Sequence, residues 1–164
     1  MQGKKDSWTL KSLRDSSAGE RKNPGMSTSY PHVEECDFDA ASVVVRWMDC
    51  VNAGDVAGVT SLYAEHAVLL PTFSPHTILT AEQRLEYFNS LASRKSLQVS
   101  LHPKTLRVTS LSETVKVACG IYRFSFEVDD EPLTFEARFS FAMNITKPHP
   151  IKHHHSSQVP RTLG

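Results

Sequence analysis

Residues 133–145 read LTFEARFSFAMNI. Leu133, Phe135, Ala137, Phe139, Phe141, Met143 and Ile145 are apolar. Thr134, Glu136, Arg138, Ser140 and Asn144 alternate with them, and Ala142 is the one exception. Apolar residues at a spacing of two place one face of a strand in a core. The other face is polar and meets solvent, a pocket or a partner sheet. Working outwards, Asp129-Asp130-Glu131-Pro132 is a turn that returns a long strand, Val115 to Val128. On the far side, Lys147-Pro148-His149-Pro150 turns the chain into a last strand, Ile151 to Val159. Leu97, Val99 and Leu101, then Leu106 and Val108, alternate in the same way, with Pro103 breaking the run.

Upstream the period changes to that of helices. Val44, Trp47, Met48 and Val51 stand at i, i+3, i+4 and i+7. Asp37 is the expected N-cap and Gly54 the expected C-cap. Asp55 opens a second short helix with Val56, Val59, Leu62 and Tyr63 on one side. His66 to Phe73 (HAVLLPTF) reads as a strand, with Pro71 at an edge or bulge. Thr80 and Gln83 form a capping box. They open a third helix whose Leu85, Phe88, Leu91 and Ala92 face the core. The order α-α-β-α-β-β-β-β predicts an α+β fold, with helices packed on one side of a long antiparallel sheet. Long strands coil, so the sheet and helices enclose a cone, a natural small-molecule pocket.

A chain of 164 residues accommodates one domain. Lys+Arg and Asp+Glu are equal at 18 each, which argues against nucleic acid or an anionic membrane as a partner. No apolar run approaches the ~18 residues of a membrane helix. Residues 1–30 carry six basic and three acidic side chains, are rich in Ser and Gly, and read as a disordered arm. The arm lacks the apolar core of a secretory signal, and its acids interrupt a transit-peptide pattern. A cytoplasmic protein is expected, with organelle targeting by the arm left open and Met26 as an alternative start. Cys36, Cys50 and Cys119 are too scattered for a disulfide framework or zinc ribbon and read as ordinary thiols.

Four of eight histidines fall in the last sixteen residues, and His153, His154 and His155 are consecutive, followed by Ser156 and Ser157. Three histidines are few for a metal-capture tag, and they continue the strand begun at Ile151. In a strand, His153, His155 and Ser157 point one way, and His154 and Ser156 the other. Two histidines at i and i+2 reach one metal ion if a third ligand, His66 or His102, joins them. The metal-free alternative is one imidazole that takes a proton from water, with a serine beside it holding an oxygen of the substrate. A solvated polar edge strand is the plain structural reading.

Several stretches then carry a resemblance: Asn52-Ala53-Gly54-Asp55, Ser61-Leu62-Tyr63-Ala64, Ala67-Val68-Leu69-Leu70-Pro71-Thr72, Glu86-Tyr87-Phe88, Gly120-Ile121-Tyr122, Ala137-Arg138-Phe139-Ser140-Phe141, and His153-His154-His155-Ser156-Ser157 with Pro160. Over residues 37–160 they resemble a branch of the nuclear transport factor 2-like superfamily. This branch is related to the association domain of calcium/calmodulin-dependent protein kinase II, and the histidine–serine run resembles iota-class carbonic anhydrases. The resemblance implies a cone-shaped fold, a homodimer built through sheets, and reversible hydration of carbon dioxide to bicarbonate. It implies no obligatory cofactor, with zinc or manganese left open. Carried over by motif, the bicarbonate-holding and catalytic residues fall on Thr72, Tyr87, His155 and Ser157, with His154 and Ser156 replacing the last pair if the strand phase is opposite. Phe73, Phe88 and Tyr122 would wall the pocket.

The chain departs from that pattern at Lys147-Pro148-His149-Pro150, which replaces the usual Asp-Gly hairpin and Trp. It departs again at Val159 and Arg161. Two rival readings stand beside the enzyme. One is a non-catalytic association module whose Glu136 and Arg138 bind a small carboxylate or a partner. The other is an isomerase or polyketide-modifying enzyme, which would place an Asp/His pair in the cone.

Overall fold

The computed structural model describes residues 39–160. The expected arm at 1–30, Cys36 and the Asp37 cap lie outside them. Helix α1 (Ala40–Ala53) starts at Asp39 and ends on Gly54, whose φ of 66° is the left-handed conformation that glycine adopts without strain. Asp55 caps α2 (Val56–Ser61), its carboxylate accepting from the Gly58 N–H at 2.8 Å. Strand β1 (Tyr63–Leu70) follows at once. Tyr63 therefore opens a strand, three residues upstream of the expected His66, instead of closing the helix. Pro71, which has no N–H to donate, ends the strand before Thr72 and Phe73.

Helix α3 (Ala81–Ala92) has the expected capping box, with Thr80 and Gln83 each holding the other's backbone N–H. Four strands and a 3₁₀ turn come next: β2 (Gln98–Leu101), the turn Pro103–Thr105, β3 (Arg107–Ser110), β4 (Val115–Val128) and β5 (Glu131–Asn144). β4 and β5 pair along their whole length, and Asp129 and Asp130 make the two-residue turn, both at positive φ. β6 (Ile151–Gln158) inserts between β1 and β5, parallel to the first and antiparallel to the second, giving the sheet order β1-β6-β5-β4-β2 with β3 also on β4. The fold is α+β, helices on one face of a curved, mainly antiparallel sheet. Among the described residues no helix is long and apolar enough to cross a membrane.

Trp47 of α1 is the centre of the core. It stacks on Tyr122 at 5.7 Å between ring centroids and meets Phe88, Phe141 and His154 edge-on. Phe139, Phe141 and Met143 of β5 point into the same core, as their alternation requires.

One expectation about α3 fails. Leu85 is 47 % exposed, Ala92 is half-buried, and the buried position goes to Arg84, 3 % exposed. The reason lies in β1. It is an edge strand, and its pairing with β6 shifts register between Tyr63 and Val68, so carbonyls are left without ladder partners. The Arg84 guanidinium donates to the carbonyls of Ala64 (3.1 Å), Glu65 (2.8 Å) and Ala67 (2.8 Å). Arg84→Met fills the space but leaves three carbonyls without a donor, and is expected to cost about 2 kcal/mol in urea unfolding. An unchanged midpoint would mean that water replaces the guanidinium without penalty.

Candidate functional site

The site is decided by the phase of β6. Residues opposite each other on adjacent strands share a face, and the register sets His154 against Phe141 and Ser156 against Phe139. Those phenylalanines are core residues, so His154 (2 % exposed) and Ser156 (5 %) point inwards. His155 and Ser157, set against Ser140 and Arg138, lie on the opposite face, where His155 is exposed and Ser157 half-buried. They are therefore not brought together with Thr72. The physical cause is a bulge. The register jumps from Ala142–His153 to Met143–Ile151, leaving Lys152 as an extra residue. Ile151 faces inwards, but the inserted residue reverses every position after it.

β1 ends beside this segment, with Leu69 paired to His154 and Leu70 to His155. The chain then turns at Pro71 and lays the Thr72 hydroxyl against that of Ser156, in hydrogen-bond contact. From the other side Tyr122 of β4 reaches over β5 and donates its phenol hydrogen to Ser156 Oγ at 2.6 Å. The Tyr122 oxygen lies 3.4 Å from His154 Nε2. His154 Nδ1 is 2.7 Å from the Tyr63 hydroxyl, which accepts the Trp47 indole N–H at 2.9 Å. Five strand, loop and helix segments thus contribute to one series: Trp47, Tyr63, His154, Tyr122, Ser156, Thr72.

Its electrostatics follow from burial. The His154 ring lies flat against Phe141 at 4.0 Å. Desolvation, with smaller contributions from His153 and His155, pushes its pKa from 6.5 down to about 3, so the imidazole is neutral near pH 7. Burial also raises Tyr63 and Tyr122 above the usual phenol range, which keeps both protonated. The series is uncharged and consists of hydrogen-bond donors and acceptors.

Tyr87 is a wall of this site. It packs edge-on against Phe88 at 5.2 Å with its phenol against the Phe73 backbone, and burial raises its pKa while nearby Arg94 opposes the shift. Phe73 leads a cluster with Phe124, Phe126 and Phe135. Phe88 is buried beside Trp47 and Tyr63. The half-buried Arg94 guanidinium stacks over Phe73 at 4.7 Å and Phe126 at 4.3 Å. No carboxylate pairs with it among the described residues. The surroundings of Thr72 are therefore aromatic with one cation.

Metal ligation does not take the form the histidine run suggested. Among the described residues no group of three His, Cys, Asp or Glu side chains is placed to hold an ion. His66 is exposed, and His102 binds Glu136 on the outer face of the sheet, its Nε2 2.5 Å from Oε2. Arg123 holds the other Glu136 oxygen at 2.7 Å. Among the described residues no Asp/His pair of the isomerase kind forms around His154, whose ring partners are Tyr63 and Tyr122. Sequence reasoning gave Tyr122 only a wall's role and placed Tyr63 on a helix. The available signal was that a buried tyrosine needs a partner for its hydroxyl.

The comparisons agree with this architecture. Residues 37–160 match the family model of the calcium/calmodulin dependent protein kinase II association domain. A structure from Xanthomonas campestris, described as such an association domain, is 26% identical with a TM-score of 0.67, covering 74% of this chain and 86% of that one. A ketosteroid isomerase-like protein from Erwinia carotovora atroseptica shares 9% identity with a TM-score of 0.62, covering 74% and 94%. An NTF2-like protein with a cystatin-like fold from Novosphingobium aromaticivorans shares 10% with a TM-score of 0.62, covering 74% and 80%. A comparison with curated proteins gives no match. The chain belongs to the calcium/calmodulin dependent protein kinase II association domain family.

Proposed function

We propose that the chain is a carbonic anhydrase of the iota type, hydrating carbon dioxide reversibly to bicarbonate as a cytoplasmic homodimer. The observation that carries the reading is the convergence of the Thr72, Ser156 and Tyr122 hydroxyls, backed by a neutral His154, beneath the Phe73 cluster. Carbon dioxide is apolar and meets the aromatic surroundings of Thr72 with little hydration to lose. Water adds to its carbon, one C=O electron pair moves onto oxygen, and a proton leaves to solvent or buffer. Hydroxyls fixed beforehand stabilise the oxygen on which charge develops. Arg94 draws the bicarbonate anion towards the Phe73 side. With a pKa of about 3, His154 is too weak a base to take the proton at pH 7. Its part is to hold Tyr63 and Tyr122 in place.

No obligatory metal is part of the proposal. Catalytic zinc takes three His, Cys or carboxylate ligands, and among the described residues this donor set does not supply them. Both His154 nitrogens, moreover, face phenols. The association-module reading stands second, favoured by the family match itself. Stopped-flow hydration of carbon dioxide by the purified chain, before and after a strong chelator and with bound metal assayed, separates the two. A rate above buffer that survives the chelator is expected. A rate no higher than buffer leaves the association module.

A further inference from the structure

Taking the half-buried Thr72 hydroxyl as the place where a guest binds, as proposed above, we infer that Trp47 and Tyr63 set the direction of the whole hydrogen-bond series, so that Thr72 meets a guest as a donor. The argument starts at the buried end. An indole N–H can only donate, so the Tyr63 oxygen is an acceptor towards Trp47. Tyr63 has one proton of its own, and among the described residues its other partner is His154 Nδ1. If Nδ1 carried a hydrogen, the Tyr63 oxygen would receive two donors and its proton would be buried without an acceptor. That costs about 1–3 kcal/mol. Tyr63 therefore donates to a bare Nδ1.

A neutral imidazole has one ring hydrogen, which then sits on Nε2, facing the Tyr122 oxygen. Facing a donor, Tyr122 has no call on its proton from that side and gives it to Ser156. Ser156, holding a donor on its oxygen, gives its own proton to Thr72. Thr72 is half-buried, in contrast to Ser156 and Tyr122, and its hydrogen is the one that can turn outwards. Reversing the tautomer at His154 reverses each step and presents a lone pair at Thr72. Two residues remote from the guest thus decide whether the site accepts an oxyanion or a hydrogen-bond donor. The Arg94 cation beside Phe73 favours the same anionic class independently. Trp47 and Tyr63 are positioning residues and touch no reacting atom.

The test reads the tautomer directly. Long-range proton–nitrogen spectra of the nitrogen-labelled full chain at pH 7 distinguish Nδ1–H, Nε2–H and charged rings, and the His154→Gln spectrum assigns His154. The wild type is expected to show a neutral Nε2–H ring and to bind acetate. Tyr63→Phe removes the donor to Nδ1. An Nδ1–H population then appears, and acetate affinity falls about fivefold or more. An Nδ1–H or charged ring in the wild type overturns the inference, as does wild-type chain that fails to bind acetate. A folded Tyr63→Phe protein with tautomer and acetate affinity unchanged also overturns it. If that variant does not fold, the wild-type tautomer alone decides. Chain with the Nε2–H ring and acetate binding but no hydration activity refutes the enzyme and keeps the inference.

Discussion

Ser156→Ala lowers carbon dioxide hydration by about tenfold or more, because Thr72, the hydroxyl that faces the developing negative charge, loses the donor that fixes its direction. Ser157→Ala leaves the rate within about twofold, the range of substitutions that touch no reacting group. The two serines are neighbours in sequence and opposites in space. Ser156 joins Tyr122 and Thr72, whereas Ser157 is set against Arg138 on the outer face. Removing the Ser156 hydroxyl breaks the series in the middle: Tyr122 loses its acceptor and Thr72 its partner. Alanine is close in volume, so folding is retained, which circular dichroism and a thermal melt check. Stopped-flow rates for both variants settle the matter. A silent Ser156→Ala with a damaged Ser157→Ala would move the site to the face of His155 and void the assignment.

That pair also shows where sequence reasoning stops. The alternation of 133–145 fixes which face of β5 is inside, and the Thr80–Gln83 box and Gly54 cap are local hydrogen-bonding devices readable from residue types. The phase of β6 is different. Counting by twos from buried Ile151 selects His153, His155 and Ser157, and the single unpaired residue at Lys152 inverts the count. A bulge depends on how two strands meet, and neither strand's pattern announces it. Arg84 was hidden for a similar reason. Its burial answers unpaired carbonyls on β1, seventeen to twenty residues away in sequence. Tyr63 was lost because Leu62 and Tyr63 satisfy a helical stripe and a strand start equally well.

The stability of the chain falls on acidification from pH 6.5 to about 3 through His154 alone. Folding lowers this pKa, so the sign is fixed. Above pH 6.5 the ring is neutral in both states and contributes no pH dependence. Between 6.5 and about 3 the unfolded chain binds a proton that the folded chain refuses, and each pH unit costs up to about 1.4 kcal/mol. Over that window the loss reaches about 4 kcal/mol, a large part of the 5–15 kcal/mol that holds typical domains folded. Below about 3 both states bind the proton and the dependence ends. Carboxylates titrate in the lower part of the window, so the variant is essential. His154→Gln, with a neutral side chain at every pH, is less stable at pH 7 because it gives up the stacking on Phe141 and the bond to Tyr63. Its stability nevertheless declines less between pH 6.5 and 4.5. Urea unfolding at half-unit pH steps gives both curves, and their difference isolates His154. Parallel curves would mean an imidazole that titrates as it does in water, which is incompatible with a ring enclosed between Phe141, Trp47 and two phenols.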